Sequence, residues 1–444
     1  MSAQSFAVSF SDVSAASGFE PPHQADIPAG GIAVADFNGN GFPDIFVTGY
    51  TQPNRLFFNQ GNGQFIEDDD INSMIAGQRC SVAAAADFDN DGWPDLYVGC
   101  LGQSNLLLRN LSGQGFENVI TAALDHAATG VSPPRTDAVA WGDLTGNGYL
   151  DLYIGILPNS AQPDIDDPGN LDRIVLNNGD GSWTNISTSF NTEDKVRLAR
   201  PALAVVISDL NLNGRPDIYV VNDKLQGNVL WRNEGPGCDG WCFSDIATAS
   251  GTERPVFGMG IAVGDIDRSG RWDLYFSSID EQVLLRGASV DPLSFIEDPE
   301  TVLDVSGVGW GTLFADFDND GWLDAFLALG SGSTSTELDT DRVFLNQRNG
   351  TFTSVTQGSG LDQVRATQAA ARIDFNMDGR IDLVLGHWNQ SPGYRLYRND
   401  TEKTGNWIGL KLRGHGQVNR DAIGARVYVD TGSGTMQMSE LRAG

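Results

Sequence analysis

A nine-residue acidic segment recurs seven times along the 444-residue chain, always with Asp at its first and ninth positions and Gly at its sixth. The copy that runs from Asp87 to Asp95 reads Asp-Phe-Asp-Asn-Asp-Gly-Trp-Pro-Asp. The first and last copies start 338 residues apart, so the mean interval is about 56 residues. A fixed period of this length is typical of repeat architectures, in which each copy belongs to one structural unit. The seven copies span residues 36–44, 87–95, 143–151, 209–217, 265–273, 316–324 and 374–382.

Short apolar segments flank each acidic segment and predict a four-stranded unit. Residues 81–86 precede the second copy and residues 96–98 follow it, which is the pattern of two antiparallel strands joined by the acidic loop. A third strand follows at residues 106–110, and a Gly-rich turn then leads to an aromatic residue that opens a fourth strand. Seven such units predict an all-β, seven-bladed β-propeller. The aromatic residues that open the fourth strands are Phe65, Phe116, Trp183, Phe243, Phe295 and Phe352.

The start of the chain predicts how the ring closes. Residues 10–18 closely copy residues 243–251, and the latter segment contains a predicted fourth strand. The N-terminal copy has no blade of its own, so we expect it to complete the last blade, whose first three strands come from residues 366–399. This closure removes exposed sheet edges, which otherwise pair with other chains.

The acidic loops place side-chain oxygens at positions 1, 3, 5 and 9, and the main-chain carbonyl at position 7 adds another. Gly at position 6 permits the sharp turn that wraps a cation. A solvated acidic turn would explain a single copy, but seven copies with fixed ends favour a metal site. An all-oxygen set indicates a hard cation, and a flexible cage with many ligands favours calcium over magnesium. The sequence thus predicts about seven Ca²⁺ ions, held by Asp36, Asn38, Asn40, Phe42, Asp44, Asp87, Asp89, Asp91, Trp93, Asp95, Asp143, Thr145, Asn147, Tyr149, Asp151, Asp209, Asn211, Asn213, Arg215, Asp217, Asp265, Asp267, Ser269, Arg271, Asp273, Asp316, Asp318, Asp320, Trp322, Asp324, Asp374, Asn376, Asp378, Arg380 and Asp382.

The loops differ in charge. The loops at 87–95 and 316–324 hold four carboxylates each, whereas the loops at 36–44, 143–151 and 209–217 hold two. Bound calcium would account for much of the formal net charge of −30. That charge argues against nucleic acid and anionic membranes as partners, because both demand clustered Lys and Arg. No apolar run reaches the 18 residues that would suggest a bilayer span, and residues 1–5 lack the pattern of a signal peptide.

The four cysteines leave two readings open. Cys80 and Cys100 flank a predicted hairpin, and Cys238 and Cys242 bracket a short loop, so two local disulfides are one expectation. Four buried free thiols are the other. Disulfides would indicate an oxidising compartment.

The repeats resemble the FG-GAP/VCBS family over residues 8–400, and this resemblance implies a propeller with calcium in its hairpin loops. Residues 406–414 and 419–427 are similar to the start of an ASPIC/UnbV domain. We therefore expect a propeller over residues 1–405 and a truncated beginning of an ASPIC/UnbV-like segment over residues 406–444. Proteins that pair these modules resemble the cartilage-acidic-protein group and many secreted bacterial proteins, which implies an extracellular or periplasmic location for a mature or trimmed chain.

The family resemblance places the calcium loops on one face, so the long segments at 119–139, 155–171, 187–203 and 329–342 are expected on the other, where binding usually resides. Five arginines recur 8 to 11 residues before an acidic loop. They are predicted to surround the channel mouth and bind an anionic group, since a guanidinium pairs bidentately with carboxylate, sulfate or phosphate. The alternative is that each bonds its own loop or a neighbouring blade. These arginines are Arg79, Arg135, Arg200, Arg254 and Arg365.

Two function classes remain. The first is a monomeric, non-catalytic binding or adhesion module for a glycan or an extracellular protein. The second is a carbohydrate-active enzyme, a lyase or dehydratase, that acts on an acidic sugar. The four histidines, His23, His126, His387 and His415, show no metal-ligand spacing or nucleophile motif, which favours the first class. His126 or His387 beside an Arg and a Tyr in a deep pocket would favour the second.

Overall fold

The computed structural model describes residues 8–21, 30–49, 53–125, 135–158, 164–238, 240–330, 340–388, 393–402, 405–430, 432 and 436–443. Within these residues the chain forms a seven-bladed β-propeller of antiparallel four-stranded sheets, as the sequence predicts. His23, His126 and Asn389 lie outside the described residues, as do parts of the long segments.

The strands follow the order of the repeats. The chain starts with β1 (Phe10–Asp12) and α1 (Ser14–Ser17). Blade 1 contains β2 (Ile32–Ala35), β3 (Asp44–Val47), β4 (Arg55–Asn59) and β5 (Phe65–Glu67), and α2 (Asp69–Met74) follows it. Blade 2 contains β6 (Cys80–Ala86), β7 (Asp95–Cys100), β8 (Leu106–Asn110) and β9 (Phe116–Asn118). Blade 3 contains β10 (Arg135–Gly142), β11 (Asp151–Leu157), β12 (Arg173–Asn177) and β13 (Trp183–Asn185), with 3₁₀ turns at Pro168–Asn170 and Ser187–Ser189.

The second half of the ring repeats the pattern. After α3 (Thr192–Leu198), blade 4 contains β14 (Ala202–Ser208), β15 (Asp217–Asn222), β16 (Val229–Gly237) and β17 (Gly240–Asp245), followed by α4 (Ala247–Ser250). Blade 5 contains β18 (Ile261–Gly264), β19 (Asp273–Phe276), β20 (Val283–Val290) and β21 (Leu293–Glu297). Blade 6 contains β22 (Gly309–Ala315), β23 (Asp324–Leu329), β24 (Arg342–Asn346) and β25 (Phe352–Ser354), and blade 7 contains β26 (Thr367–Ile373), β27 (Asp382–His387) and β28 (Tyr394–Asn399).

The hydrophobic core lies between neighbouring blades. The second strand of each blade is buried along its whole length, as in β15, or along all but its last residue, as in β11, because both of its faces contact other sheets. The innermost strands use small residues, such as the four alanines that end β6, since the blades converge at the axis. Gly31 illustrates the close approach there, because a Cβ at this position would lie 2.7 Å from the backbone of Val82 in the next blade.

Four buried tyrosines occupy the equivalent position in the second strands of blades 2 to 5. Three of them donate a hydrogen bond from the phenol to a carbonyl in the connection that follows their blade, as Tyr97 does to Leu124 at 2.8 Å. Tyr219 binds the Thr252 carbonyl in the same way at 3.0 Å. These bonds satisfy a polar group that burial would otherwise leave unpaired. The four residues are Tyr97, Tyr153, Tyr219 and Tyr275.

The N-terminal strand closes the ring, which confirms the prediction from the copied segment. β1 pairs antiparallel with β28, and Phe10 lies opposite Asn399. Phe10 is buried and its ring meets Phe317 of blade 6 edge to face at 5.6 Å between centroids. The two ends of the propeller are therefore joined by a sheet and by core packing.

The cysteines form the two local disulfides, Cys80–Cys100 and Cys238–Cys242. The first pair lies directly across the antiparallel strands β6 and β7. The free-thiol alternative is excluded for this structure.

Residues 405–443, which we call the C-terminal segment, contain the hairpin of β29 (Arg426–Asp430) and β30 (Met436–Glu440). The end of this segment contacts the innermost strand of blade 3, where the Trp141 N–H donates to the Ala443 carbonyl at 2.9 Å. Met438 is buried in the core cluster that contains Trp272. The segment thus packs on the ring, while its assignment to an ASPIC/UnbV-like domain stays a prediction.

Ring closure should make β1 essential for stability. We expect Phe10→Ala to lower the free energy of unfolding by about 3–5 kcal/mol, because it removes a buried aromatic side chain and leaves a cavity. Ile66→Ala on an exposed position of β5 is the control and should change it by less than about 0.5 kcal/mol. Denaturant unfolding of the three proteins measures this, and equal effects of the two substitutions would contradict the role of β1.

Candidate metal centres and ligand face

Each acidic loop is a turn built around its first aspartate. In blade 2, the Asp87 carboxylate accepts the N–H groups of Asp91 at 3.0 Å and Gly92 at 2.7 Å, which draws the middle of the loop back over its start. Gly92 adopts a φ of 97°, a conformation that favours glycine. The bond from the sixth residue to the first aspartate recurs in all seven loops, so the sequence pattern produces one local structure seven times.

The ninth residue of each loop is a buried aspartate that begins the second strand. Asp95 is fully buried, and it accepts the Phe88 N–H at 3.1 Å from its own loop and the Asn110 N–H at 2.7 Å from the third strand. The Asp95 carboxylate thereby connects the acidic loop, the second strand and the third strand of its blade. The other members of this set are Asp44, Asp151, Asp217, Asp273, Asp324 and Asp382.

An asparagine at the end of the third strand extends this network to the preceding blade. The Asn110 amide nitrogen donates to the Pro94 carbonyl at 3.0 Å in its own loop and to the Phe37 carbonyl at 2.8 Å in the acidic loop of blade 1. Its side-chain oxygen accepts the Gly113 N–H at 2.8 Å. We call these residues the latch asparagines, and they are Asn59, Asn110, Asn177, Asn233, Asn346 and Asn399.

Blade 5 lacks a latch asparagine and uses a different donor. Gly287 stands at the corresponding position of β20, where its N–H binds Asp273 at 3.0 Å but no side chain is present. The Trp272 indole N–H instead donates to the Asp209 carbonyl of the preceding loop at 3.0 Å. In blade 5, Trp272 therefore provides the hydrogen bond to the preceding acidic loop that a latch asparagine provides in the other blades.

Sequence reasoning missed the latch asparagines. A signal exists, because Asn closes the third strand just before the Gly-rich turn in six blades, but its distance from the acidic loop varies with the length of the connection. Two of these residues, Asn110 and Asn399, also lie in Asn-x-Ser/Thr glycosylation sequons. Both are buried with their amide nitrogens donating to carbonyls, so glycan attachment there is incompatible with the folded ring.

The loops fit a cation on structural grounds. In three loops, carboxylate oxygens from three residues lie within 4.8 Å of one another. Four solvent-shielded oxygens at ligand positions of the acidic loops have no hydrogen-bond partner among the described residues: Asp36 Oδ1, Thr145 Oγ1, Asp217 Oδ2 and Ser269 Oγ. Such atoms are costly unless a donor or an ion satisfies them. The three carboxylate groups are Asp87–Asp89–Asp95, Asp265–Asp267–Asp273 and Asp316–Asp318–Asp320.

The pKa values of the loop carboxylates show the cost of their burial. Burial raises the pKa of Asp95 to about 9 and that of Asp382 to about 8, against the ordinary value of 3.8. Burial first, and then the nearby Asp421 carboxylate, raise the pKa of Asp87 to about 7. A group whose charged form is disfavoured in this way is stabilised as a carboxylate when a divalent cation binds beside it.

Arginines contact several of these loops. Arg348 binds the Asp320 carboxylate at 2.8 Å, and Arg380 pairs with Asp378 inside its own loop. At position 7, the Arg271 guanidinium donates to the Gly287 carbonyl at 2.6 Å, so its side chain supports the third strand. These contacts show that the side chains at position 7 have structural roles, while the role of the main-chain carbonyl in binding an ion stays a prediction.

The opposite face carries the five repeated arginines, and three of them pair with carboxylates. Arg135 pairs with Asp137 at 2.5 Å, and Arg254 pairs with Glu297 at 2.7 Å. Arg200 pairs with Glu253 at 3.2 Å. These three arginines therefore bond residues of the protein, as the alternative interpretation expects. An anion pocket shared by all five arginines stays a prediction.

A cavity of about 550 Å³ lies beside Arg79, between blades 1 and 2. Arg55 lines the other side, together with Glu67, Asp69 and Asn72. The volume is within the range of small-molecule sites, and the walls present both charges and amide groups. This cavity is on the face away from the acidic loops, because Arg55 begins a third strand there and α2 follows the fourth.

His387 is fully buried at the end of β27 and binds the Thr367 hydroxyl through Nδ1 at 3.0 Å. Burial, followed by the positive charges of Arg365 and Arg395, lowers the pKa of His387 to about 3, so it stays neutral. The next residue, Trp388, is only half-buried. A buried neutral imidazole cannot contact a sugar in solution.

Fold and loops together define a seven-bladed β-propeller with acidic hairpin loops on one face. The profile of the FG-GAP-like repeat matches residues 36–98, 87–154, 209–276 and 316–385. These segments cover more than half of the chain, and the chain belongs to this family.

Cartilage acidic protein 1 from Mus musculus is 23% identical over 433 residues, a match that covers 90% of this chain and 64% of that protein. The protein of the same name from Homo sapiens is 22% identical over 430 residues and is covered to 62%. The chain therefore spans slightly less than two thirds of the length of these relatives. A crystal structure of BBS1N in complex with ARL6DN has a TM-score of 0.51 at 9% identity, covering 86% of this chain and 95% of that one, which shows a similar fold.

Among the described residues, no helix has the length and apolar character needed to cross a lipid bilayer.

The latch asparagines should hold neighbouring blades together. We expect Asn110→Ala to lower the free energy of unfolding by about 2–4 kcal/mol, because it deletes three side-chain hydrogen bonds and leaves buried carbonyls unpaired. The exposed Asn178, which follows the equivalent asparagine of blade 3, is the control, and Asn178→Ala should cost less than about 0.5 kcal/mol. Both are measured by denaturant unfolding, and a cost for Asn110→Ala no larger than the control's would disprove the latch.

Proposed function

We propose that this chain is an extracellular, calcium-binding β-propeller that acts as a ligand-binding or adhesion module for a glycan or a protein. The observation that carries the proposal is the sevenfold recurrence of a loop whose ninth residue is a buried aspartate with no arginine or lysine paired to it among the described residues. A binding module needs a rigid frame with a variable surface, and the ring supplies both.

Calcium is proposed to occupy all seven loops. In each one, the oxygens at positions 1, 3, 5 and 9 and the carbonyl at position 7 would hold the ion, as Asp36, Asn38, Asn40, Phe42 and Asp44 do in the first. The ion supplies the positive charge that these buried carboxylates lack. Position 9 bonds to the latch asparagine, so an ion there also stiffens the contact with the preceding blade.

An extracellular location is supported by the two disulfides, since such bonds persist in oxidising compartments. Calcium loops with only two carboxylates are also suited to the high calcium concentration outside cells. Similarity to cartilage acidic protein 1 agrees with this location.

The ligand is proposed to bind on the face away from the acidic loops. The C-terminal segment contacts several acidic loops and covers part of their face, as the bonds from Arg420 to Asp91 and from Gln437 to Gly321 show. The cavity beside Arg79 lies on the other face, and its walls combine Arg55 and Arg79 with Glu67, Asp69 and amide groups. We propose that the anionic group of a glycan or peptide binds at the Arg79 side of this mixed lining, whereas the buried His387 offers no base for catalysis.

Calcium removal should lower the melting temperature strongly, because an ion that binds only the folded state stabilises it. We expect metal analysis of the calcium-saturated protein to return close to seven equivalents, and fewer than four would contradict the proposal. The loop at 143–151 should release calcium first and the loops at 87–95 and 316–324 last. If Asp87→Ala and Asp143→Ala reduce the melting temperature equally, the number of carboxylates does not control affinity.

Ligand binding should depend on the cavity beside Arg79. On a glycan array with and without a chelator, we expect anionic glycans to bind, with an affinity that falls as salt increases, because exposed charges are screened. Arg79→Gln should weaken binding about tenfold, which corresponds to the loss of one charge-assisted pair. Arg232→Gln, on the third strand of blade 4, is the control and should have no effect. Equal binding by both variants, or no anionic ligand on the array, would contradict the proposed site.

A further inference from the structure

The C-terminal segment contacts the acidic loops of several blades. Gln437 donates to the Gly321 carbonyl of the loop in blade 6. Trp407 covers Gly379 in blade 7 so closely that a Cβ at this glycine would lie 2.0 Å from the indole. The sixth-position glycines thus provide room for this segment, in addition to making the turn.

The contact with blade 2 brings a carboxylate to the start of a loop. Asp421 accepts the Asp87 N–H at 3.1 Å, so its negative charge lies beside the first position of loop 87–95. Arg420 fixes this arrangement, because its N–H donates to the Asn90 side chain at 2.7 Å and its guanidinium to the Asp91 carbonyl at 2.7 Å. The guanidinium is directed at backbone oxygens of the loop, while the Asp421 carboxylate is directed at the Asp87 amide.

The contact with blade 4 brings a positive charge to the same position of another loop. The Arg426 guanidinium pairs with Asp209 Oδ2 at 3.2 Å. Asp209 is the first residue of loop 209–217 and is buried. Glu440 accepts the Asp209 N–H at 3.3 Å and the Ser208 hydroxyl, and it pairs with Arg442 at 2.7 Å, so the hairpin is anchored at this point.

We propose that the C-terminal segment sets the calcium affinities of the loops that it covers, with Asp421 strengthening the site at 87–95 and Arg426 weakening the site at 209–217. A negative charge near a divalent cation attracts it, whereas a guanidinium bound to a ligand oxygen repels the cation and competes for that oxygen. The inference rests on the proposed calcium function of the loops. It adds that two residues outside the repeats act on two of the sites in opposite directions.

The test measures calcium binding by isothermal titration for wild type, Asp421→Asn and Arg426→Gln. We expect Asp421→Asn to weaken one class of site about tenfold, the effect of one unit charge several ångströms from a divalent ion under near-aqueous screening. Arg426→Gln should strengthen one class of site by a similar factor. Asp430→Asn and Arg413→Gln change exposed residues of the same segment and are the matched controls, which should leave every affinity unchanged.

Loop knock-outs assign each effect to its site. Asp89→Ala with Asp91→Ala should abolish the effect of Asp421→Asn, and Asn211→Ala with Asn213→Ala should abolish that of Arg426→Gln, since coupled residues are not additive. Thermal unfolding verifies that each variant is folded. Unchanged affinities in Asp421→Asn and Arg426→Gln, or shifts that persist in the knock-outs, would overturn the inference while calcium binding itself stands. Absence of calcium binding by the wild type would instead refute the proposed function.

Discussion

The buried aspartate at the end of each acidic loop is the group on which the ring depends. Its carboxylate receives N–H bonds from the loop and from the third strand, and the latch asparagine beside it reaches the preceding blade. Ionising such a group away from water is costly without a nearby positive charge. The same carboxylate therefore connects the acidic loop, the shape of a blade and the contact between blades, which explains why Asp occupies this position in all seven loops.

Much of the architecture could be predicted because it is encoded locally and repeated. The acidic segments, the flanking strands and the copied N-terminal strand each carry a pattern that seven blades make visible, and β1 pairs with β28 as the copy implied. The five arginines are different. Arg200 pairs with Glu253 in the following connection, whereas Arg135 pairs with Asp137 in its own strand, so the position of the arginine recurs while its partner does not.

The C-terminal segment shows another limit of sequence reasoning. Arg426 and Asp421 reach loops that lie more than 200 residues earlier in the chain, and nothing in their local sequence indicates which loop each one meets. The burial of His387 has the same origin, since it depends on how blade 7 packs and not on the polarity of its neighbours. The period of the repeat predicts contacts between blades, but it gives no information about contacts between a blade and a segment outside the repeat.

On the face away from the acidic loops, polar side chains bond the ends of the second strands and fix the connections to the third strands. Before the third strand of several blades, a side chain accepts an N–H from the end of the second strand, as Asn54 does from Gly49 at 2.8 Å and Asn105 does from Cys100 at 2.9 Å. Asn228 binds the Asn222 N–H in the same way at 2.9 Å. These bonds fix the two ends of each connection, and the residues in the middle of the connection take no part in them. Insertions and substitutions in the connections can therefore change the surface of this face while the sheets below keep their register.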